Sequence, residues 1–222
     1  MCGRFFLLTD LSVIVESFGI QEVAFDYRPD HNLAPGREIP AVVHDEGRNR
    51  LIGFRWGLIP AWARDPLIGN RMFNARAETI AEKPSFRDAF RKRRCLIPAE
   101  GFYEWQRDGK VKKPFRFSLQ SGKPFGFAGL HEIWISPEKK TIRTYTMITT
   151  ETNELIQPIH DRMPVILPKE REVAWMDPEN RDEKALLSLL KPYPPDEMRF
   201  SPADPKSLSG RPQKAPFPSA GM

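Results

Sequence analysis

The sequence predicts a single α+β domain with a β-rich, barrel-like core of short strands and a few short helices. Three observations predict it. The chain has 222 residues, 40% of them hydrophobic and 28% charged, which is enough apolar material for one core and too much for a disordered chain. Proline supplies 22 residues, roughly twice average usage, and so many prolines shorten regular elements and multiply turns. The middle of the chain is rich in short apolar runs bounded by turn signals, as strands are.

Taken in order, the elements are short. Thr9 can cap a helix in which Leu11, Ile14, Val15 and Phe18 recur at helical spacing, and Gly19 closes it. Asn32-Leu33-Ala34-Pro35-Gly36 is a turn segment. Residues 39–44 and 51–56 read as strands around a polar turn, Asp45-Glu46-Gly47-Arg48-Asn49. Ser85, with Asp88 three residues on, opens a second helix whose apolar face is Phe86, Ala89 and Phe90. Residues 102–106 and 114–119 flank Asp108-Gly109, a strong hairpin signal. Further strands are expected at 124–130, 132–136, 142–149 and 163–167, and two more short helices at 169–176 and 182–191. Residues 191–222 contain eight prolines, so the domain is expected to span 1–191 and residues 192–222 to form an extended Pro-rich tail.

Composition excludes several classes of function. Two cysteines, Cys2 and Cys95, cannot build a disulfide framework or a four-cysteine zinc site. His31, His44, His131 and His160 are scattered, with no zinc-type spacing to the cysteines, so no metal is expected. There is no phosphate-cradling glycine loop, and no cofactor is implied. No apolar run approaches a membrane span, and the N-terminus lacks the pattern of a secretory signal. The expectation is a cytoplasmic monomer, associated with the nucleoid if bacterial. Lys plus Arg exceed Asp plus Glu by five (34 against 29), which suits a polyanionic partner without requiring one.

Chemistry starts at Cys2. A start methionine before a small residue is usually removed, which would leave an α-amino group and a thiol on neighbouring carbons. Their ordinary pKa values, about 7.7–8.0 and about 8.5, leave both partly reactive at neutral pH. A 1,2-aminothiol condenses with an aldehyde to an imine, which the sulfur closes to a thiazolidine ring. Taken alone, Cys2 also reads as a small residue near a frayed terminus.

Four further segments complete a pattern: Trp56-Gly57-Leu58-Ile59-Pro60-Ala61-Trp62, Phe73-Asn74-Ala75-Arg76-Ala77-Glu78-Thr79, Arg93 through Glu104-Trp105, and Ile159-His160-Asp161-Arg162-Met163-Pro164. With Cys2 and the Asn32–Gly36 turn, they resemble the SOS response-associated peptidase family of abasic-site processing proteins, from Cys2 to about Leu167. The resemblance implies that the chain seals abasic sites in single-stranded DNA through a thiazolidine link, with Cys2, Asn74, Glu104 and His160 as catalytic residues. The residue chemistry agrees. An abasic sugar must open from its hemiacetal before its aldehyde reacts, which needs an acid and a base. His160 has a suitable ordinary pKa. Glu104, between Tyr103 and Trp105, gains a raised one if buried. Asn74 can hold the sugar hydroxyl or the terminal amine. Without the resemblance, a strand carboxylate reads as solvated and a lone histidine as structural.

DNA also needs cations for phosphates and flat surfaces for bases. Arg4, Arg76 and Arg162 sit close in sequence to the candidate catalytic residues, and Trp62 is the candidate stacking residue. Trp56 reads as core. Arg91-Lys92-Arg93-Arg94 is the densest basic run, and such runs are more often solvated helix ends. Two other readings stay open. One is a thiol peptidase, at least an autopeptidase releasing Met1, with Cys2 as nucleophile and His160 as base. The other is a non-covalent reader of single strands or modified bases.

Overall fold

The computed structural model describes residues 2–109 and 111–208. Its elements run β1 (Phe5–Leu7), α1 (Leu11–Phe18), β2 (Ile20–Ala24), β3 (Asp30–Leu33), β4 (Glu38–Asp45), β5 (Arg48–Trp56) and β6 (Asn74–Arg76). There follow α2 (Arg87–Lys92), β7 (Arg94–Ala99), β8 (Gly101–Asp108), β9 (Val111–Leu119), β10 (Phe125–Ile135) and β11 (Thr141–Glu151). The chain then forms β12 (Arg162–Pro164), β13 (Ile166–Leu167), α3 (Glu172–Met176), α4 (Glu183–Ser188) and β14 (Met198–Pro202).

Strands β11, β10, β7, β4 and β5 pair in that order, all antiparallel. β5 then pairs in parallel with β11 through Thr144↔Arg55 and Tyr145↔Trp56. That last pairing closes a five-stranded barrel, so the expected α+β fold with a barrel core is what forms. Closure removes the exposed edges an open sheet would carry. A second sheet, ordered β14-β9-β8-β1-β3, lies against it. Phe5 and Phe102 join the two: Phe5 meets Trp56 at 5.4 Å and Phe127 at 5.8 Å between ring centroids, and Phe102 meets Phe127 at 6.1 Å. All four rings are buried, so one continuous aromatic core holds both sheets.

Local chemistry explains most elements. α1 buries Ile14 and Phe18 and ends at Gly19, but its N-cap is Asp10, without a side-chain cap bond, rather than Thr9. The β4–β5 turn is tighter than the five-residue turn expected. Glu46 and Gly47 both take positive φ (48° and 74°), the two-residue geometry that matches strand twist, and pairing reaches Asp45↔Arg48. The two strands expected at 124–136 are one continuous strand, β10. The one expected at 163–167 breaks at Val165, whose N–H turns to Ile148 O. Gly57 has φ 135°, and a Cβ there would come within 2.5 Å of the Gly69 carbonyl oxygen. The segment that follows β5 therefore needs glycine to pack on itself.

The expected tail divides. β14 pairs with β9 from Met198↔Leu119 to Pro202↔Phe115, and Met198 and Leu208 are buried. Within the tail, Met198–Pro202 extends the second sheet, because β9 offers an open edge, and Leu208 packs back onto the domain. Residues 209–222 of the expected tail lie outside the described residues.

Candidate active site

β1 and β8 are antiparallel, with Phe5↔Phe102 and Phe6↔Gly101 in register, and the Tyr103 N–H donates to Arg4 O at 2.9 Å. Continuing that register brings residues 2 and 3 alongside Glu104 and Trp105. β6 pairs in parallel with β11 (Met147↔Asn74), and Asn74 Nδ2 donates to the Cys2 carbonyl oxygen at 2.7 Å. Asn74 Oδ1 is buried and has no partner among the described residues, so an acceptor is left facing the site.

His160 arrives from a turn that Asn153 organises. The Asn153 side chain accepts from the Ile156 N–H at 3.1 Å, and the His160 N–H donates to Ile156 O at 3.0 Å. Gln106 Nε2 donates to Pro158 O at 3.2 Å, tying that turn to β8. Four segments distant in sequence therefore converge: the N-terminus, β6, β8 and the turn before β12.

The electrostatics follow from burial. Cys2 is fully buried, and desolvation, aided by the Glu104 charge, pushes its thiol well above the ordinary range. Glu104 is 2% exposed, and its desolvation raises the carboxyl to about 7. His160 Nε2 lies 3.9 Å from Glu104 Oε2. Partial burial lowers the imidazole, while the neighbouring Asp161 raises it. The Arg162 N–H donates to His160 Nδ1 at 2.9 Å, which selects the neutral tautomer with its proton on Nε2, toward Glu104. Asp161 Oδ1 is also 2.9 Å from Nδ1 and becomes the acceptor when that nitrogen is protonated. Glu104 and His160, with Trp105, Arg107 and Lys112, line a cavity of about 300 Å³. Arg107 and Lys112 escaped the sequence reading, although both flank the Asp108-Gly109 turn of the hairpin that carries Glu104. Among the described residues, no group of three or more metal-ligating side chains occurs.

The DNA candidates separate. Trp62 is 58% exposed, whereas Trp56 is buried and stacked on Tyr145 at 6.0 Å. Arg76 is exposed. Arg4 is half-buried and donates to Asn32 Oδ1. Arg162 is committed within the protein: it grips both oxygens of Glu78 (2.6 and 2.9 Å) and the Thr149 carbonyl (2.7 Å). The basic run is mostly structural. Arg91 pairs with Glu183 and Arg93 with Glu132. Arg94 is buried and donates to the carbonyls of Phe90, Arg91, Trp175, Asp177 and Asn180.

The family model for the SOS response-associated peptidases matches residues 1–206. The chain belongs to that family. It is 50% identical over 201 residues to the abasic site processing protein YoqW of Bacillus subtilis, covering 89% of this chain and 90% of that one. It is 30% identical to the abasic site processing protein HMCES of Xenopus tropicalis, covering 75% of this chain and 59% of the other. A crystal structure of a protein from Bacteroides thetaiotaomicron superposes with a TM-score of 0.84 at 29% identity, covering 91% and 92% of the two chains. Membership matches the resemblance seen in the separated motifs, now along nearly the whole described chain. No helix among the described residues is long and apolar enough to cross a membrane.

Proposed function

We propose that this protein processes abasic sites in single-stranded DNA by capturing the sugar aldehyde as a thiazolidine on Cys2, after removal of Met1. Relatives named for abasic-site processing support abasic-site processing as the activity. The observation that carries capture on Cys2 is the Asn74 amide holding the Cys2 carbonyl at 2.7 Å, with the thiol buried in the field of a carboxyl raised to about 7. A carboxyl titrating near neutrality can both take and give a proton there.

His160 moves a proton between the sugar oxygens and opens the hemiacetal. The terminal amine adds to the aldehyde carbon and expels water, with Glu104 taking and returning the proton. The Cys2 sulfur then bonds to the imine carbon, its proton goes to the nitrogen, and the ring closes. Asn74 holds the Cys2 backbone so that amine and thiol stay on one side of that carbon. A peptidase acting on other chains would need a thiolate, and burial together with Glu104 opposes one at Cys2.

The test is an adduct between the mature protein and an abasic single strand that survives heat and denaturant without borohydride. Cys2→Ala should lose that adduct while keeping an imine that borohydride traps. Equal heat-stable adduct from the variant would end the thiazolidine reading. The two proton-transfer roles separate in single-turnover crosslinking. His160→Ala should be slow on a natural abasic site and rescued in part by an open-chain aldehyde, whereas Glu104→Gln should stay slow on both. Each loss should be ~10²–10⁴-fold.

A further inference from the structure

Across the β8–β9 hairpin, Arg107 stands directly opposite Lys112. Two like charges on one rung destabilise a hairpin. The rungs on either side carry the opposite solution: Asp108, opposite Val111, and Lys113, opposite Gln106, form a diagonal ion pair at 2.9 Å. Among the described residues, neither Arg107 nor Lys112 has a hydrogen-bond or ion-pair partner. Both are exposed, and both line the 300 Å³ cavity that holds Glu104 and His160, beside the ring of Trp105. A pair of unneutralised cations is thus built into the wall of the reaction cavity, with a flat aromatic surface next to it.

We propose that Arg107 and Lys112 form an anion subsite that takes a DNA backbone phosphate adjoining the captured sugar. The inference rests on the abasic-DNA reading and extends it to one flank of the substrate. An anion between the two cations turns their repulsion into two attractions. Because the cavity is shared, that anion sits beside the reacting groups and not on a remote surface. Arg107 is also one of the charges that, after burial, hold His160 low, so a phosphate here would act on that group as well as on position.

The experiment uses the full mature chain and a single-stranded oligonucleotide whose abasic position is a tetrahydrofuran, which carries the phosphates but cannot crosslink. Affinity is measured against salt for wild type, for Arg107→Gln with Lys112→Gln, and for Lys139→Gln with Lys140→Gln as a surface control. Loss of one phosphate contact lowers the salt slope by ~0.7 and the affinity by about five-fold near 0.1 M salt, both from the counterion-release relation for single strands. The control pair should change neither. Single methylphosphonates are then placed along the oligonucleotide. One position flanking the tetrahydrofuran should weaken wild type but not the Arg107/Lys112 variant. If the variant keeps the wild-type slope, or the two perturbations add at every position, the subsite is overturned and the abasic-DNA reading stands. If wild type gives no adduct with an aldehydic abasic strand, that reading fails and takes the subsite with it.

Discussion

Replacing Glu104 with Gln should make the protein more stable at alkaline pH while disabling it. The carboxyl is 2% exposed and is raised from an ordinary 4.5 to about 7 by desolvation. Between those values the folded state binds a proton that the unfolded state has lost. The stability contributed by protonated Glu104 is therefore present in full below about pH 4.5 and is lost as pH rises through about 7. At 1.36 kcal/mol per pKa unit, the cost of the ionised, buried group is about 3 kcal/mol at pH 8.5 and about 1 kcal/mol at pH 5. Gln keeps the shape and never ionises. Urea unfolding of both proteins at the two pH values should show the variant gaining about 2 kcal/mol more at pH 8.5 than at pH 5. In thermal melts at pH 8.5 the gain corresponds to roughly 6–12 °C for a chain of this size. Other titrating groups, His160 included, are common to both proteins and largely cancel in the difference. A variant that is less stable at both pH values, or a gap that does not change with pH, would refute the claim that Glu104 sits desolvated at a cost.

Trp62→Ala should weaken binding to an abasic single strand by ~1–3 kcal/mol, the worth of one base stacked on an aromatic ring, with little change in melting because the side chain is 58% exposed. Equal affinity by anisotropy would move the stacking surface elsewhere. Asn74→Ala leaves the Cys2 carbonyl unpaired and should cost about 1–3 kcal/mol of stability, read by urea unfolding, in addition to slowing adduct formation. Arg94→Met strips five carbonyls of their donor. It should destabilise by about 3 kcal/mol or more yet leave the salt slope of DNA binding unchanged, which separates it from a phosphate contact. Gly57→Ala should lower the melting temperature, since φ 135° and a 2.5 Å approach to the Gly69 carbonyl both exclude a side chain.

Much of this molecule is legible without coordinates wherever the cause is local. The Asp108-Gly109 hairpin, the β4–β5 pair and α1 with Gly19 at its end follow from turn residues and periodicity within a dozen positions. The short strands β1, β3, β6 and β14 were not legible. Three to five residues carry too little pattern, and each exists because a partner strand offers it an edge. The same holds for the tail: Met198–Pro202 is strand only because β9 has an unpaired side.

Fold class, the candidate residues Cys2, Asn74, Glu104 and His160, and the family are all readable from residue types in order, which survive without geometry. Tertiary structure decided what those residues experience. Desolvation raises Glu104 to about 7 and silences the Cys2 thiol, and desolvation is set by packing from other strands. The charges divide for the same reason. Arg162 and Arg94, basic residues like any other in the sequence, are absorbed by Glu78 and by five carbonyls. Arg107 and Lys112, unremarked in the sequence, are left unneutralised at the cavity. A cation's availability depends on which acceptors the fold brings within reach, and a one-dimensional string does not contain that distance.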